Sequence, residues 1–430
     1  MVASGDTIAA IATAPGRGGV AVVRVSGPDA FALAEKISGR PIAPARVSLR
    51  RLRLPDGRVV DEAIVVAFRA PRSYTGEDVV ELQCHGGSVT PRRVLEACYA
   101  FGARPARRGE FTERAFLNGR LDYSQAESVL NLVDAKTARA ADAALDTLSG
   151  RRRRDANEVY TLALDLSSTL EHALDVDEGD LAPEFFRGVR GQAAALDERL
   201  AASIRRAREG RILRDGALVV LAGAPNAGKS SLLNALLEEN RAIVSDTPGT
   251  TRDAIESWID LDGWPVRLVD TAGLRASSDA IEAEGVRRAE DLISRADVVL
   301  ALDCDPEVEE GHIVSVHAKC DLGRAGGLNV SSKTGEGLEE LKHAVVERLE
   351  ALSDVSVDAA DATSGEDFVA ACIDARALVA DLAAPSDERF DLVLAANAAR
   401  SAAERLGAAV GATYSDDLLD RLFSRFCVGK

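Results

Sequence analysis

The stretch that decides the fold is GAPNAGKS at residues 223–230, which directly follows the apolar run ALVVLA at 217–222. It matches the phosphate-binding pattern G-x-x-x-x-G-K-S, whose two glycines let the backbone wrap around a phosphate. In such loops the lysine, here Lys229, neutralises the β- and γ-phosphates, and the hydroxyl of Ser230 can bind Mg²⁺. The order strand, loop, helix makes a chance match improbable, so the sequence predicts a nucleotide-binding α/β domain.

Two further motifs point to the ion and to the terminal phosphate. DTAG at 270–273 ends the apolar run VRLV, where Asp270 would hold Mg²⁺ through water and the Gly273 amide would contact the γ-phosphate. PGTTRD at 248–253 lies between the two motifs, and a threonine there can complete the Mg²⁺ shell and order a switch loop. The order of these motifs is the order found in GTPases.

The remaining motifs point to the base. AKCD at 318–321 and SSK at 331–333 each follow a short apolar run. Asp321 can accept hydrogen bonds from the guanine N1 and N2 groups. GTPases usually have asparagine where this chain has Ala318, so the sequence predicts guanine recognition with one contact missing.

The pattern of apolar residues divides the chain. From residue 217 the apolar runs are short and nearly continuous, as in strands buried on both faces of a mainly parallel sheet. Residues 119–215 have almost no strand signal, and helical composition returns over 353–430. We therefore predict a Ras-like G domain at 216–352 inserted into a discontinuous all-α domain.

Residues 1–118 read as a separate α+β domain. GVAVVRVSG at 19–27 predicts a strand, and RLRLPDGRVVDEAIVVAF at 51–68 predicts two strands joined at Pro-Asp-Gly. TPRRVLEACYAFG at 90–102 predicts a helix that ends at its glycine. Beyond this domain, Ser124 and Glu127 could form a capping box at the start of the first helix of the all-α domain.

Composition excludes several classes of protein. The 430 residues are 46% hydrophobic and 28% charged, which is typical of a soluble globular protein, and no apolar stretch approaches the ~20 residues of a membrane helix. The start MVASGDTIAA does not read as a secretory signal. The six cysteines contain no C-x-x-C, which favours a reducing cytoplasm over a disulfide framework or a zinc site.

Charge is unevenly distributed. The chain carries a net charge of −17, yet residues 1–120 carry +6 and the remainder −23. A whole-molecule electrostatic attraction for nucleic acid is therefore excluded, and an anionic partner should prefer the N-terminal region. Ordinary variation in surface composition would explain the imbalance equally well.

At this point the chain resembles the MnmE/TrmE family of tRNA modification GTPases over essentially its whole length. The G motifs carry part of the likeness. The rest is carried by DTIAAIATAPGRGGVAVVRVSG (6–27), PRSYTGEDVVELQCHGG (71–87), RRGEFTERAFLNGRLDYSQAE (107–127) and LLDRLFSRFCVGK (418–430). The combination of such a G domain with a terminal FCVGK is specific to that family.

The resemblance implies a function. With a flavin-dependent partner in a hetero-oligomer, these proteins form a carboxymethylaminomethyl or aminomethyl group on carbon 5 of the wobble uridine of certain tRNAs. The N-terminal domain dimerises and binds 5-formyltetrahydrofolate or a related tetrahydrofolate. GTP hydrolysis requires Mg²⁺ and K⁺ and drives the opening and closing of the two G domains of a homodimer. The homodimer is expected in the cytoplasm, without a membrane partner.

The resemblance also implies the catalytic groups of the G domain. Leu274 stands where many small GTPases have a water-positioning glutamine, and leucine cannot orient water by hydrogen bonding. A K⁺ held by Asn226, Ser245, Thr247 and Thr250 would supply the missing positive charge. Glu282 matches the family's catalytic acid. The same residue could instead be an acid at the start of a helix, where the helix dipole favours negative charge.

The resemblance places Mg²⁺ on Ser230 and Thr251. The residues expected to bind GTP are Asn226, Ala227, Gly228, Lys229, Ser230, Ser231, Ser245, Asp246, Thr247, Pro248, Gly249, Thr250, Thr251, Asp270, Thr271, Ala272, Gly273, Ala318, Lys319, Asp321, Ser331, Ser332 and Lys333. Lys229 and Glu282 are the two expected to act in catalysis.

The folate contacts implied by the resemblance are Arg24, Glu81, Arg120 and Lys430. Arg24 interrupts an apolar strand, so it needs either an ionic partner or a solvent-facing side. The family usually has lysine at the position of Arg120, and arginine keeps the charge but changes the geometry. Cys427 is a possible functional cysteine near the folate pocket, or a buried structural one.

A second function remains open from the G motifs alone: a ribosome-assembly or RNA-binding GTPase that acts only as a switch. The folate-like N-terminal region and the terminal FCVGK favour tRNA modification.

Overall fold

The computed structural model describes residues 5–176, 181–239, 256–270, 287, 290–304, 312–325, 327–354, 366–384, 390–410, 419 and 422–430. The chain divides into two compact units, the first formed by Met1–Leu130 with Thr413–Lys430 and the second by Asn131–Ala412.

The first unit is built on a six-stranded sheet. Its elements are β1 Ile8–Ile11, β2 Val20–Ser26, α1 Ala30–Ser38, β3 Ser48–Arg53, β4 Val59–Phe68, β5 Val79–His85, α2 Thr90–Ala100, β6 Arg104–Pro105, α3 Glu110–Leu117 and α4 Tyr123–Asp134. The strand order is β3-β4-β5-β2-β1-β6, and the pairs are antiparallel except β1 with β6. This confirms the predicted α+β fold and the pair of strands around Pro-Asp-Gly.

Alternation along β2 and β5 separates a core face from a second face. Val23, Val25 and Leu82 are fully buried in the same core as helices α1 and α2. Arg24 and Glu81 point to the opposite face, because successive side chains of a strand alternate. A charged pair can therefore sit in an otherwise apolar strand without entering the core.

The cap of α4 differs from the sequence prediction. Asp122 and Gln125 form the reciprocal capping pair, each side chain accepting from the other's backbone N–H at 2.9 and 2.8 Å. The predicted pair of Ser124 and Glu127 lies two residues further on, inside the helix. The prediction was wrong because Asp122 and Gln125, which have the same three-residue spacing, cap the helix two residues earlier.

The C-terminal tail belongs to the first unit. Leu422, Phe423 and Phe426 pack with Tyr123 and Ala126 of α4 in one apolar cluster. Further along the tail, Val428 forms an isolated antiparallel bridge with Arg108. Gly429 adopts φ +106°, and a Cβ there would lie 2.2 Å from the Ile11 carbonyl oxygen, so only glycine fits.

The second unit combines helices with a second six-stranded sheet. Its elements are α5 Ala138–Leu148, α6 Arg151–Ala173, α7 Pro183–Asp215, β7 Ala217–Gly223, α8 Lys229–Glu239, β8 Glu256–Leu261, β9 Trp264–Asp270, β10 Val298–Leu302, β11 Ile313–Ala318, β12 Leu328–Val330, α9 Leu338–Asp354, α10 Glu366–Ala383 and α11 Leu392–Val410. The helices α6, α7, α10 and α11 share one apolar core. Because α6 and α7 precede the sheet and α10 and α11 follow it, the all-α part is discontinuous, as predicted.

The sheet of the second unit has the order β12-β11-β10-β7-β9-β8. All its pairs are parallel except β8 with β9, which form a hairpin across Asp262 and Gly263. The fold class predicted for this region is confirmed. The hairpin was missed, although Asp-Gly between two apolar runs is a known hairpin signal.

None of the helices in the described parts of the chain is long and apolar enough to cross a membrane.

Candidate functional site

The phosphate-binding loop leaves a buried strand and enters a helix. All of β7 before its last residue is buried, and α8 begins at Lys229. Gly223 adopts φ +155°, and a Cβ there would lie 2.8 Å from the Leu302 carbonyl oxygen. Glycine is thus required at the first loop position, because the neighbouring strand β10 passes too close for a side chain.

Asn226 lies at the tip of this loop in the left-handed region, with φ +66°. Asparagine tolerates this conformation better than most residues. Its backbone carbonyl accepts a 2.7 Å hydrogen bond from Lys319 Nζ, which joins the phosphate loop to the guanine motif 93 residues away. Among the described residues, the Asn226 side-chain amide has no hydrogen-bond partner.

Lys229 is held inside the loop. Its Nζ donates to the carbonyl oxygens of Gly223 and Ala224, each at 2.8 Å, and the residue is only 5% exposed. An ammonium has three donors and no acceptor. Two of them are used by the loop, which leaves one for an anion and holds the positive charge in a buried position.

Ser230 and Asp270 meet at the end of the sheet. Ser230 Oγ, at the start of α8, donates to Asp270 Oδ2 at the end of β9 over 2.5 Å. A hydroxyl and a carboxylate are the hard oxygen ligands that suit Mg²⁺, which commonly takes its other ligands from phosphate and water. The described residues contain no cluster of three or more His, Cys, Asp or Glu.

The guanine motif is fixed by its neighbour in the sheet. Ser331 Oγ, just after β12, donates to Asp321 Oδ1 at 2.8 Å, and the Cys320 amide donates to the Val330 carbonyl at 3.2 Å. Lys319 adopts φ +60°, which turns its side chain toward the phosphate loop. The two predicted guanine motifs therefore lie side by side.

Ala318 faces the phosphate loop. Its Cβ lies 3.9 Å from the position that a Cβ would take at Gly228. The methyl group of alanine can neither donate nor accept a hydrogen bond there.

Several predicted residues lie outside the described residues. They are Ser245, Asp246, Thr247, Pro248, Gly249, Thr250, Thr251, Thr271, Ala272, Gly273, Leu274 and Glu282. The described part of the site comprises the phosphate loop, Asp270 and the two guanine motifs.

A second group of predicted residues lies in the first unit. Arg24 forms an ion pair with Glu81, with Nη2 2.9 Å and Nε 3.0 Å from Oε1. The guanidinium also lies over the rings of Tyr74 and Phe111, at 5.1 and 5.7 Å from their centroids. Arg24 thus has the ionic partner that its position requires; its side chain is 19% exposed and lies over the buried Phe111 ring, so it is not an outward-facing surface arginine.

Arg120 and the tail approach the same region of this unit. Arg120 Nε donates to the carbonyl of Ser73, the residue before Tyr74, at 3.2 Å. Gly429 packs on Ile11, next to Ala10, which is the register partner of Arg24. The tail that ends in Lys430 therefore lies beside the strand that pairs with the Arg24 strand. Cys427 is exposed, which contradicts the buried structural reading.

A buried ionic cluster supports this face and was not anticipated from the sequence. Arg114 is 4% exposed and contacts Asp6, Glu77 and Glu110 at 2.6, 3.0 and 3.1 Å. Arg104 also pairs with Glu110 at 2.5 Å. The cluster ties the start of β1 to the segment before β5 and to α3.

Charge pairing in the cluster outweighs burial. Burial raises the pKa of the Glu110 carboxyl, but hydrogen bonds from Arg104, the Arg107 amide and Arg114 lower it further, and the net shift is downward. The hydrogen bond from Arg104 is the largest influence on Asp6, whose pKa is also lowered. Both acids therefore stay ionised near neutral pH beside the two arginines.

The fold and the site define a P-loop nucleotide-binding protein with the motifs of a GTPase. Family models add two matches: the N-terminus of the GTP-binding protein TrmE over residues 7–120, and the MnmE helical domain over residues 123–427.

Full-length relatives agree. The chain is 43% identical to the tRNA modification GTPase MnmE of Azoarcus sp. (strain BH72), over 99% of this chain and 98% of that protein. It is 42% identical to the protein of the same name from Symbiobacterium thermophilum, over 99% of both chains. The protein of that name from Xanthomonas campestris pv. campestris (strain B100) is 43% identical over the full length of both. The chain belongs to the MnmE/TrmE family of tRNA modification GTPases.

Proposed function

We propose that this chain is a GTPase that, together with a flavin-dependent partner, forms the carboxymethylaminomethyl or aminomethyl group on carbon 5 of wobble uridine in certain tRNAs. The observation that carries this proposal is the presence, in one chain, of a guanine-nucleotide site and an N-terminal unit completed by the C-terminal tail. Membership of the family supports the coarse function, GTP hydrolysis in tRNA modification.

The organisation proposed for the chain follows the sequence boundaries. Residues 1–118 bind tetrahydrofolate and dimerise, residues 119–215 and 353–430 form the helical domain, and residues 216–352 form the G domain, except that the residues up to Leu130 and those from Thr413 group with the N-terminal unit. The active form is a cytoplasmic homodimer that joins its flavin-dependent partner and tRNA in a hetero-oligomer.

In the G domain, the described residues bind and orient the nucleotide. Lys229 brings a buried positive charge to the β- and γ-phosphates, and the Gly223–Lys229 loop presents backbone amides to them. Ser230 and Thr251 would hold Mg²⁺, with Asp270 acting through water, and the ion when bound neutralises charge on the phosphates. Asp321 reads the guanine edge.

K⁺ would replace the arginine finger that other GTPases use. Asn226 offers a side-chain amide that is free of hydrogen bonds within the described chain, and Ser245, Thr247 and Thr250 would complete the site. When bound, K⁺ supplies positive charge beside the phosphates. Glu282 would orient the attacking water in place of the glutamine that Leu274 replaces.

In the N-terminal unit, charge and aromatic surface favour a tetrahydrofolate. The Glu81 carboxylate can accept from the N–H groups of a pterin, while Arg24 fixes its orientation. Arg120 and Lys430 can pair with the carboxylates of a glutamyl tail. Tyr74 and Phe111 provide the aromatic surface beside them.

Replacing Glu81 by glutamine should weaken binding of 5-formyltetrahydrofolate by at least about tenfold, because hydrogen bonds to a charged group contribute roughly 1.5–3 kcal/mol. The rate of GTP hydrolysis should not change. Calorimetric titration measures the first effect and phosphate release the second. Glu62, which forms an exposed ion pair with Arg51 on the neighbouring strands, gives the matched control, and its glutamine variant should bind folate as the natural chain does. Equal folate affinity of all three proteins would exclude this site.

Replacing Ala318 by asparagine should tighten GDP binding about two- to twelvefold, since one neutral hydrogen bond contributes roughly 0.5–1.5 kcal/mol. The natural chain should correspondingly bind GDP weakly and exchange it without an exchange factor. Calorimetric titration of both proteins checks this, and the dependence on K⁺ should be the same in both. An unchanged dissociation constant would show that another group already supplies the contact.

The function as a whole is tested by mass spectrometry of wobble uridine in tRNA from a strain that lacks this gene. We expect loss of the carbon-5 modification and its return when the gene is restored. A normal modification pattern, together with co-purification of the protein with ribosomal subunits, would favour the ribosome-assembly switch and overturn the proposal.

A further inference from the structure

His317 lies directly before the guanine motif and touches both ends of the loop that carries it. Its Nδ1 is 2.6 Å from Asp303 Oδ1, and its Nε2 is 3.0 Å from the carbonyl oxygen of Gly323. The side chain is 26% exposed. Ala318 to Gly323, the segment between these contacts, contains Lys319 and Asp321.

Both partners of this ring are hydrogen-bond acceptors. A backbone carbonyl only accepts, and an ionised carboxylate only accepts. A neutral imidazole has one N–H and can satisfy one of them, whereas an imidazolium has two and satisfies both. The geometry is therefore complete only when the ring is protonated.

Asp303 is a firm anchor for one end of the loop. It follows β10 directly, and its own amide donates to the Val316 carbonyl of β11 at 3.1 Å. Its second carboxylate oxygen accepts a longer hydrogen bond from the Ala318 amide, at 3.4 Å. The ring of His317 extends this anchor across to Gly323 at the other end of the loop.

The other charged groups of the loop are directed elsewhere. Lys319 reaches the carbonyl of Asn226, and Asp321 accepts from Ser331. Arg324 forms an ion pair with Glu336. Among the described residues, Asp303 is thus the charged group that forms a hydrogen bond with the His317 ring.

We propose that His317, as an imidazolium, is a positioning residue for guanine recognition: it clamps Asp303 to the Gly323 carbonyl and so holds the loop that presents Lys319 and Asp321 to the base. The clamp stands in for the asparagine tether that Ala318 lacks. This inference rests on the proposed guanine-nucleotide site and adds a pH-dependent group to it.

The direction of the pH effect follows from the partners. The hydrogen bond with Asp303, and then that with the Gly323 carbonyl, raises the pKa of His317 above its usual value near 6.5. The clamp is then fully formed below about pH 6.5 and is lost as pH rises through the raised pKa. Above the raised pKa of His317 the loop is no longer clamped, and GDP binding must also order it. The affinity for GDP should therefore fall as pH rises.

The test is the dissociation constant for GDP at pH 6.5, 7.5 and 8.5, measured by calorimetry on the full chain. We expect the natural chain to bind about three- to tenfold more weakly at pH 8.5 than at pH 6.5, since one hydrogen bond is lost. His317→Gln keeps a donor for Gly323 but cannot be protonated. It should bind at every pH about as the natural chain does at pH 8.5.

Two further variants separate the clamp from general effects. His343→Gln changes an exposed histidine of α9 whose nearest acid, Asp262, is 4.0 Å away, and it should keep the natural pH profile. Asp303→Asn should move the fall in affinity to lower pH, because it removes the negative charge that favours the imidazolium.

The outcomes are distinct. Parallel pH profiles for the natural chain and His317→Gln would overturn the clamp, even if both bind GDP. An unshifted profile for Asp303→Asn would do the same without relying on the stability of the histidine variant. Failure of the natural chain to bind GDP at any pH would instead refute the proposed nucleotide site.

Discussion

Replacement of Lys229 by alanine is expected to lower the rate of GTP hydrolysis by about a thousandfold, because loss of one preorganised electrostatic contact commonly costs two to three orders of magnitude. The loss of rate should lie at the upper end of this range because Lys229 is buried and its ammonium is hydrogen-bonded to two carbonyls of its own loop. In the variant, these carbonyls face the phosphates with no cation between them. Phosphate release under saturating GTP, with GDP affinity measured in parallel, checks the result.

A matched lysine tests whether the position matters rather than the net charge. Lys136 is exposed in the same compact unit, and its replacement by alanine removes the same charge. That variant should hydrolyse GTP at the natural rate. Retention of more than a tenth of the natural activity in Lys229→Ala would contradict the role assigned to the loop lysine.

GTP turnover is expected to be at least about tenfold faster in K⁺ than in Na⁺ of equal ionic strength. The physical reason is that a correctly placed cation replaces an arginine finger, whose contribution is about three to five orders of magnitude. Asn226 is the described residue of this site, and its amide makes no hydrogen bond within the described chain. The rate in K⁺ should also rise with protein concentration, since pairing of G domains would order the switch loop.

Asn226→Gly is the sharpest variant for this prediction. Glycine adopts φ +66° without cost, so the loop and its hydrogen bond from Lys319 to the residue 226 carbonyl are retained while the amide is lost. The variant should bind GDP normally and should show little difference between K⁺ and Na⁺. Equal rates for the natural chain in the two salts would exclude a K⁺ site, whatever the variant does.

Local patterns account for what sequence reasoning predicted well. The phosphate loop, the parallel strands and the discontinuous helical part follow from motif spacing and from apolar periodicity, which act over fewer than ~20 residues. The hairpin of β8 and β9 carried its own signal at Asp262 and Gly263 and was overlooked. The capping prediction for α4 was wrong for a different reason: two pairs with the same three-residue spacing, offset by two residues, both fit the pattern, and Asp122 with Gln125 forms the cap.

Pairings between distant residues could not be predicted in this way. The ion pair of Arg24 with Glu81 joins residues 57 positions apart, and its existence depends on the register of β2 with β5. A shift of that register by one residue would move the side chain of one partner to the core face of the sheet. The sequence showed that Arg24 needs a partner, and only the sheet supplies it.

The sequence by itself determined the class of the protein, because a phosphate loop needs its glycines, lysine and serine at fixed spacing between a strand and a helix. Tertiary structure alone decided how the loop is tied to the guanine motif, through Lys319 and the carbonyl of Asn226. It also decided that His317 bridges Asp303 and Gly323. Such contacts depend on where parallel strands end relative to one another, which packing of the whole sheet sets and which no local pattern records.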